Sequence, residues 1–169
     1  VCTTEDNILI TPGGQSALFA AHMAVLNPGD VALYSDPYYA TYPGTLRGTG
    51  AADPAIPCDP AHAFQPRAAD LEAEAKGARS LLVNSPNNPT GVVYDRATWQ
   101  AIAKTCITHD LWLISDEVYD TQVWQGEHIS PRSLPDMQER TLVIGSMSKS
   151  HAMTGSRIGW ICWPVPVIG

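Results

Sequence analysis

The chain has 169 residues, 44% of them hydrophobic and 16% charged, with a formal net charge of −7. That is enough chain for one domain with a real core, in the composition of an ordinary soluble protein. The negative balance without a Lys/Arg cluster argues against a nucleic-acid surface, and no apolar run approaches membrane-spanning length.

The first residues, Val-Cys-Thr-Thr-Glu-Asp, lack the basic-then-apolar order of a signal peptide. Thr11-Pro12-Gly13-Gly14-Gln15-Ser16 precedes an Ala/Leu/Met-rich helix expected over 16–26, which stops at the breaker Asn27-Pro28-Gly29-Asp30. Residues 31–34 are a short strand, with a loop at Asp36-Pro37-Tyr38-Tyr39 after it. A short helix is expected over 71–78, beginning near Pro66. The strand 81–83 is cut off by Asn84-Ser85-Pro86-Asn87-Asn88-Pro89-Thr90-Gly91, where two prolines and a glycine forbid helix or central strand. Helical spacing follows over 97–109, then strands at 111–115, 141–144 and 158–163. Short buried strands alternating with helices predict an α/β fold of three layers, α/β/α. Its sheet should be mostly parallel and covered on both faces. Cys2, Cys58, Cys106 and Cys162 show no Cys-x-x-Cys spacing and do not pair with histidines, so reduced, buried thiols of a cytoplasmic protein are expected. The five histidines share no spacing, and no metal site is assigned.

The polar signatures fall just after apolar strands, where ligands sit in such sheets. Lys149 lies in Ser146-Met147-Ser148-Lys149-Ser150, after the 141–144 strand, and Arg157 follows in Thr154-Gly155-Ser156-Arg157-Ile158-Gly159-Trp160. An amine that can form a Schiff base, followed by a planar guanidinium that can grip phosphate oxygens, suits an aldehyde cofactor carrying a phosphate, pyridoxal 5′-phosphate. Asp116, at a strand end, suits a protonated ring nitrogen, although an Asp there is also an ordinary helix cap or solvated loop acid. Tyr119 shares its pocket if a helical turn starts there, and otherwise is a packing tyrosine. Asn88 suits the cofactor's ring oxygen, or is simply part of an Asn-Pro turn. Gly14 and Gln15 at a helix start offer backbone N–H groups to phosphate, or form a plain loop. Tyr38 and Tyr39 offer a ring for stacking, or are a surface pair.

Taken in order, these motifs resemble the class I/II aminotransferases, fold-type I pyridoxal-phosphate enzymes, over nearly the whole chain. The phrases that carry the likeness are Asn-Ser-Pro-Asn-Asn-Pro-Thr-Gly at 84–91, Ser-Asp-Glu-Val-Tyr at 115–119, and the run from Ser146 to Trp160. The resemblance implies a transaminase that moves an amino group from an amino acid to a 2-oxo acid, homodimeric when full-length. It implies that Lys149 carries the Schiff base and shuttles the proton, that Asp116 pairs with the pyridinium, and that Tyr119 and Asn88 contact the ring oxygen. Tyr39 takes the stacking position, while Gly14, Gln15, Ser146, Ser148 and Arg157 hold the phosphate. The stretch from Ala97 to Trp160 is most similar to arginine–pyruvate transaminases, with Ser156 a departure from that branch.

The family's N-terminal arm and its small C-terminal domain, with the arginine that grips the substrate carboxylate, find no match here. The chain is therefore expected to be the cofactor-binding large domain, 1–169, of a longer protein. A lyase or racemase on the same scaffold would hold the cofactor in much the same way. A transcription regulator with an aminotransferase-like sensor domain would differ by a DNA-binding domain outside this chain.

Overall fold

A computed structural model describes residues 3–164. Val1, Cys2 and residues 165–169 lie outside the described residues. The strands are β1 (Ile8–Thr11), β2 (Ala32–Asp36), β3 (Ala55–Pro57), β4 (Ser80–Asn84), β5 (Trp112–Asp116), β6 (Thr141–Ser146) and β7 (Gly159–Cys162). The helices are α1 (Gly14–Val25), α2 (Tyr42–Arg47), α3 (Ala68–Ala75), α4 (Arg96–Thr108) and the single turn α5 (Met147–Ser150). One sheet in the order β1-β7-β6-β5-β4-β2-β3 holds all seven strands. Only β7 runs against the rest, pairing antiparallel with both β1 and β6.

Alternate residues of the central strands feed two cores, one per face. Leu82, Ile114, Leu142 and Ile144 meet α1 and α2 through Leu18, Ala21, Tyr42 and Leu46. Leu81, Val83 and Leu113 meet α3 and α4 through Leu71, Trp99, Ile102 and Cys106. Burial of both faces explains why β4 and β5 read as unbroken apolar runs. In α4, Trp99, Ile102, Ala103 and Cys106 form a stripe at helical spacing, and Asp95 caps the helix by accepting from Thr98 N at 2.8 Å. The expected three-layer architecture is the observed one.

Four of these elements had no expectation in the sequence: β1, β3, α2 and α5. Both strands are sheet edges, and β3 contains Pro57, tolerated there because an edge strand can spare a donor. In α2, Pro43 and Gly44 mask a helix that Pro, near its start, in fact favours. The expected 71–78 helix lies earlier, at Ala68–Ala75, and ends before Gly77, whose φ of +80° cannot continue it. A turn, not a helix, carries Tyr119.

Candidate active site

The carboxyl ends of the parallel strands β4, β5 and β6 meet the N-terminus of α1 around a cavity of about 200 Å³. Each strand ends in a polar residue that lines it: Asn84, Asp116 and Ser146. β7 runs the other way, so its start, just after Arg157, reaches the same end of the sheet. Every residue to which the resemblance assigns a role lines this cavity: Gly14, Gln15, Tyr39, Asn88, Asp116, Tyr119, Ser146, Ser148, Lys149 and Arg157.

Asp116 is fully buried and forms no ion pair among the described residues. Its Oδ2 accepts from the Tyr42 hydroxyl at 2.7 Å and its Oδ1 from Val118 N at 3.3 Å. Burial pushes its carboxyl from 3.8 to about 6, against the pull of those two donors. Burial, then the neighbouring Asp116, holds the Tyr42 phenol well above its ordinary value, so it stays a donor.

Asn84 ties the next loop down. Its Nδ2 donates to Asp116 O at 2.9 Å, and its Oδ1 accepts from Asn88 N at 2.7 Å. Asn88 Nδ2 then donates to the Tyr119 hydroxyl at 3.3 Å, bringing two donors to one point on the wall. Lys149 projects from α5, whose first turn is capped by Ser146 Oγ accepting from Ser148 N at 3.1 Å. Its Nζ lies 5.5 Å from the centroid of the Tyr119 ring.

Arg157, at φ +51°, donates through Nη1 to Thr154 O at 3.1 Å. Its guanidinium packs over Gly13, where a Cβ would overlap it. Ser146 Oγ also donates to Ile158 O at 3.2 Å, so this hydroxyl is spent on the local fold. The Gln15 side chain turns away to Thr41 and Thr45 beside α2, which leaves its backbone N–H at the helix start as the group facing the cavity. Tyr39 lines the cavity, edge-on to Tyr42 at 5.9 Å, whereas Tyr38 packs into the core beside Tyr34.

Sequence reasoning missed Tyr42 and Asn84. Asn84 opens the quoted 84–91 phrase, and its place at a strand end was the available signal. Tyr42 carried none, because its link to Asp116 spans 74 residues.

These features suit pyridoxal 5′-phosphate. A buried carboxylate with no cationic partner suits a protonated ring nitrogen. A guanidinium held over a glycine beside a helix N-terminus suits a phosphate. Among the described residues, no cluster of His, Cys, Asp and Glu could hold a metal ion, and no helix is long and apolar enough to cross a membrane.

The family model for aminotransferase class I and II matches residues 2–168. An arginine–pyruvate transaminase of Pseudomonas aeruginosa is 42% identical over 160 residues, covering 94% of this chain and 41% of that protein. The aspartate/prephenate aminotransferase of Thermus thermophilus is 38% identical over 98% of this chain and 43% of its own length. Among solved structures, an aspartate aminotransferase from Thermus thermophilus with maleate superposes with a TM-score of 0.94 at 37% identity, over 98% of this chain and 43% of that one. The N-succinyldiaminopimelate aminotransferase of Mycobacterium tuberculosis gives 0.96 at 33% identity, over 99% of this chain and 45% of that one. The chain thus spans less than half the length of these relatives.

Proposed function

This chain belongs to the class I and II aminotransferases, and from that premise we propose that its 169 residues are the cofactor-binding large domain of a transaminase. The full protein would move an amino group from an amino acid to a 2-oxo acid. The observation that carries the reading is the convergence of Lys149, the unpaired Asp116 and Arg157 on one cavity at the strand ends.

Pyridoxal 5′-phosphate, when bound, supplies an aldehyde carbon that condenses with amines and a ring that takes up electron density. Lys149 Nζ is the amine that would hold the aldehyde carbon at rest. Once free, the same nitrogen would move a proton between the α-carbon of the amino acid and the cofactor carbon two bonds away. Asp116 keeps the ring nitrogen protonated, and Tyr42 keeps Asp116 in place. Tyr119 and Asn88 would donate to the ring oxygen, and Tyr39 would stack on the ring. Arg157, Ser148 and the N–H groups of Gly14 and Gln15 would hold the phosphate, while Ser146, its hydroxyl already donated to Ile158 O, caps the turn that carries Lys149.

The amino donor is a finer question. Identity to an arginine–pyruvate transaminase supports a basic donor with pyruvate. The matched residues mostly hold the cofactor, and donor choice comes from pocket groups that differ between donors. A cytoplasmic homodimer is the companion reading. The buried, free thiols of Cys58 and Cys106 support the reducing compartment.

Borohydride reduction of the cofactor-loaded full-length protein tests the reading. The label should map to Lys149 and vanish, with the near-visible absorption, in Lys149→Ala. Label on Lys76 or Lys104 would overturn it. Initial rates with arginine, aspartate, phenylalanine and valine then assign the donor. An aspartate rate far above the arginine rate would remove the basic-donor reading and leave the transaminase intact.

A further inference from the structure

Directly behind Asp116 lies a second buried carboxylate that the reading above does not use. Glu117 is 6% exposed, and its N–H still donates to Ile144 O at the end of the sheet. Adjacent strand residues face opposite ways, so the Glu117 side chain turns from the cavity while Asp116 enters it. Each of its oxygens has one partner: Oε2 meets His128 Nε2 at 2.8 Å, and Oε1 accepts from Ser130 Oγ at 2.9 Å. Both partners come from the far end of the loop that leaves β5, so the contact closes residues 117–130 into a ring.

Two residues of that ring touch the lysine. Tyr119 lies beneath Nζ at 5.5 Å, and Gln122 Nε2 donates to Lys149 O at 3.3 Å. Tyr119 also takes the hydrogen bond from Asn88. A buried ion pair costs heavily in desolvation and adds little net stability, so a greasy contact would close a loop more cheaply. Its directional, two-pronged geometry fixes position instead.

We infer that Glu117, His128 and Ser130 are positioning residues, a clasp that holds the Tyr119–Gln122 loop against Lys149. This inference rests on the transaminase reading. Burial disfavours charge on His128, but the hydrogen bond and charge of Glu117, with Asp120, hold its imidazole above the ordinary value. Asp116 on the strand, Asp120 on the loop and Cys162 nearby are the other ionisable groups that bear on the pair.

The test uses the full-length protein loaded with cofactor, in the variants His128→Ala, His128→Gln and Ser130→Ala. His128→Ala should lower kcat by roughly ten- to a hundredfold, the usual cost of slight misplacement, with KM little changed. The pH midpoint of the near-visible band of the bound cofactor should also move. Glutamine at 128 can still donate to Glu117, so it should restore much of both, and Ser130→Ala, which leaves the His128 contact in place, should fall between His128→Ala and the wild type. If the variants only melt earlier, with kcat and the band's pH midpoint as in the wild type, the clasp is structural and the inference is overturned. Absence of the band or of borohydride label at Lys149 in the wild type would instead sink the transaminase reading. In that case peptide-resolved amine labelling of Lys149 without cofactor decides the clasp alone: a faster rate in His128→Ala, reversed in His128→Gln, supports it, and equal rates refute it.

Discussion

At the scale of single residues, the cavity is built around a conflict. Asp116 is useful to the cofactor because it is buried without a cation, and the same burial makes it a liability in the empty protein. An unfolded carboxyl titrates near 3.8 and this one near 6. Between those values the folded chain keeps a proton that the unfolded chain has lost. Stability without cofactor therefore falls as pH rises through that window, by roughly 3 kcal/mol in total, and the penalty is full above it. Asp116→Asn should thus raise the melting temperature of the cofactor-free protein at pH 7 and leave it unchanged below about pH 3. The same substitution should slow turnover of the loaded protein by at least about tenfold, since a charge-assisted bond worth roughly 1.5–3 kcal/mol is lost. Thermal scans across pH, set beside turnover rates, check both halves. Tyr42→Phe makes the complementary case. It leaves the Asp116 charge but removes its shortest donor, at 2.7 Å. Turnover should fall by about tenfold, and the cofactor-free protein should lose stability at neutral pH rather than gain it.

At the scale of elements, the close contact between β7 and the start of α1 aims the phosphate site. A Cβ on Gly159 would lie 2.5 Å from Gly13 C and 2.6 Å from Gly14 N. Both are backbone atoms and neither can step aside. Gly159→Ala should push the helix N-terminus away from Arg157, costing roughly 1–3 kcal/mol of stability and weakening cofactor binding. Equilibrium dialysis of the cofactor and a melting curve would check this. A variant that binds cofactor as tightly as the wild type would show that the helix start is not held by β7. These elements also mark how far the sequence could be read. β4, β5 and β6 were legible because burial on both faces leaves an unbroken apolar signature, and the polar residues at their ends came with them. Ile8-Leu9-Ile10 was not legible, because an edge strand paired on one side carries no distinct period in so few residues. Gly13 read as part of a loop before a helix and Gly159 as one residue of the 158–163 strand, although the space each leaves is set by groups far away in sequence, the Arg157 guanidinium over Gly13 and the Gly13–Gly14 backbone over Gly159. Tyr42, Asn84 and the Glu117–His128 pair depend on tertiary neighbours that no local pattern encodes.

At the scale of the whole molecule, the chain displays apolar surface that its own elements leave uncovered. Ile10 is 66% exposed on the edge strand β1, and Phe19 and Met23, one turn apart on the outer face of α1, are 43% and 53% exposed. Trp124 is 85% exposed beside the wall formed by Asn88 and Tyr119. Scattered apolar side chains are normal on a monomer, but an edge strand with an open ladder and a helical Phe/Met pair invite association. The net charge of −7 opposes this only at long range, and salt screens it beyond roughly 8–10 Å. The isolated 169-residue chain should therefore self-associate at micromolar concentration, more so as salt rises. It should also show no measurable transamination, since the relatives it matches are more than twice its length. Light scattering at low and high salt, with a coupled assay on the same samples, checks this. Replacing Phe19 and Met23 with glutamate should reduce the association without lowering the melting temperature, because neither side chain is buried in the core. A chain that stays monomeric in high salt, or one that turns over amino donors alone, would show that these faces need no cover and that the cavity is complete as it stands.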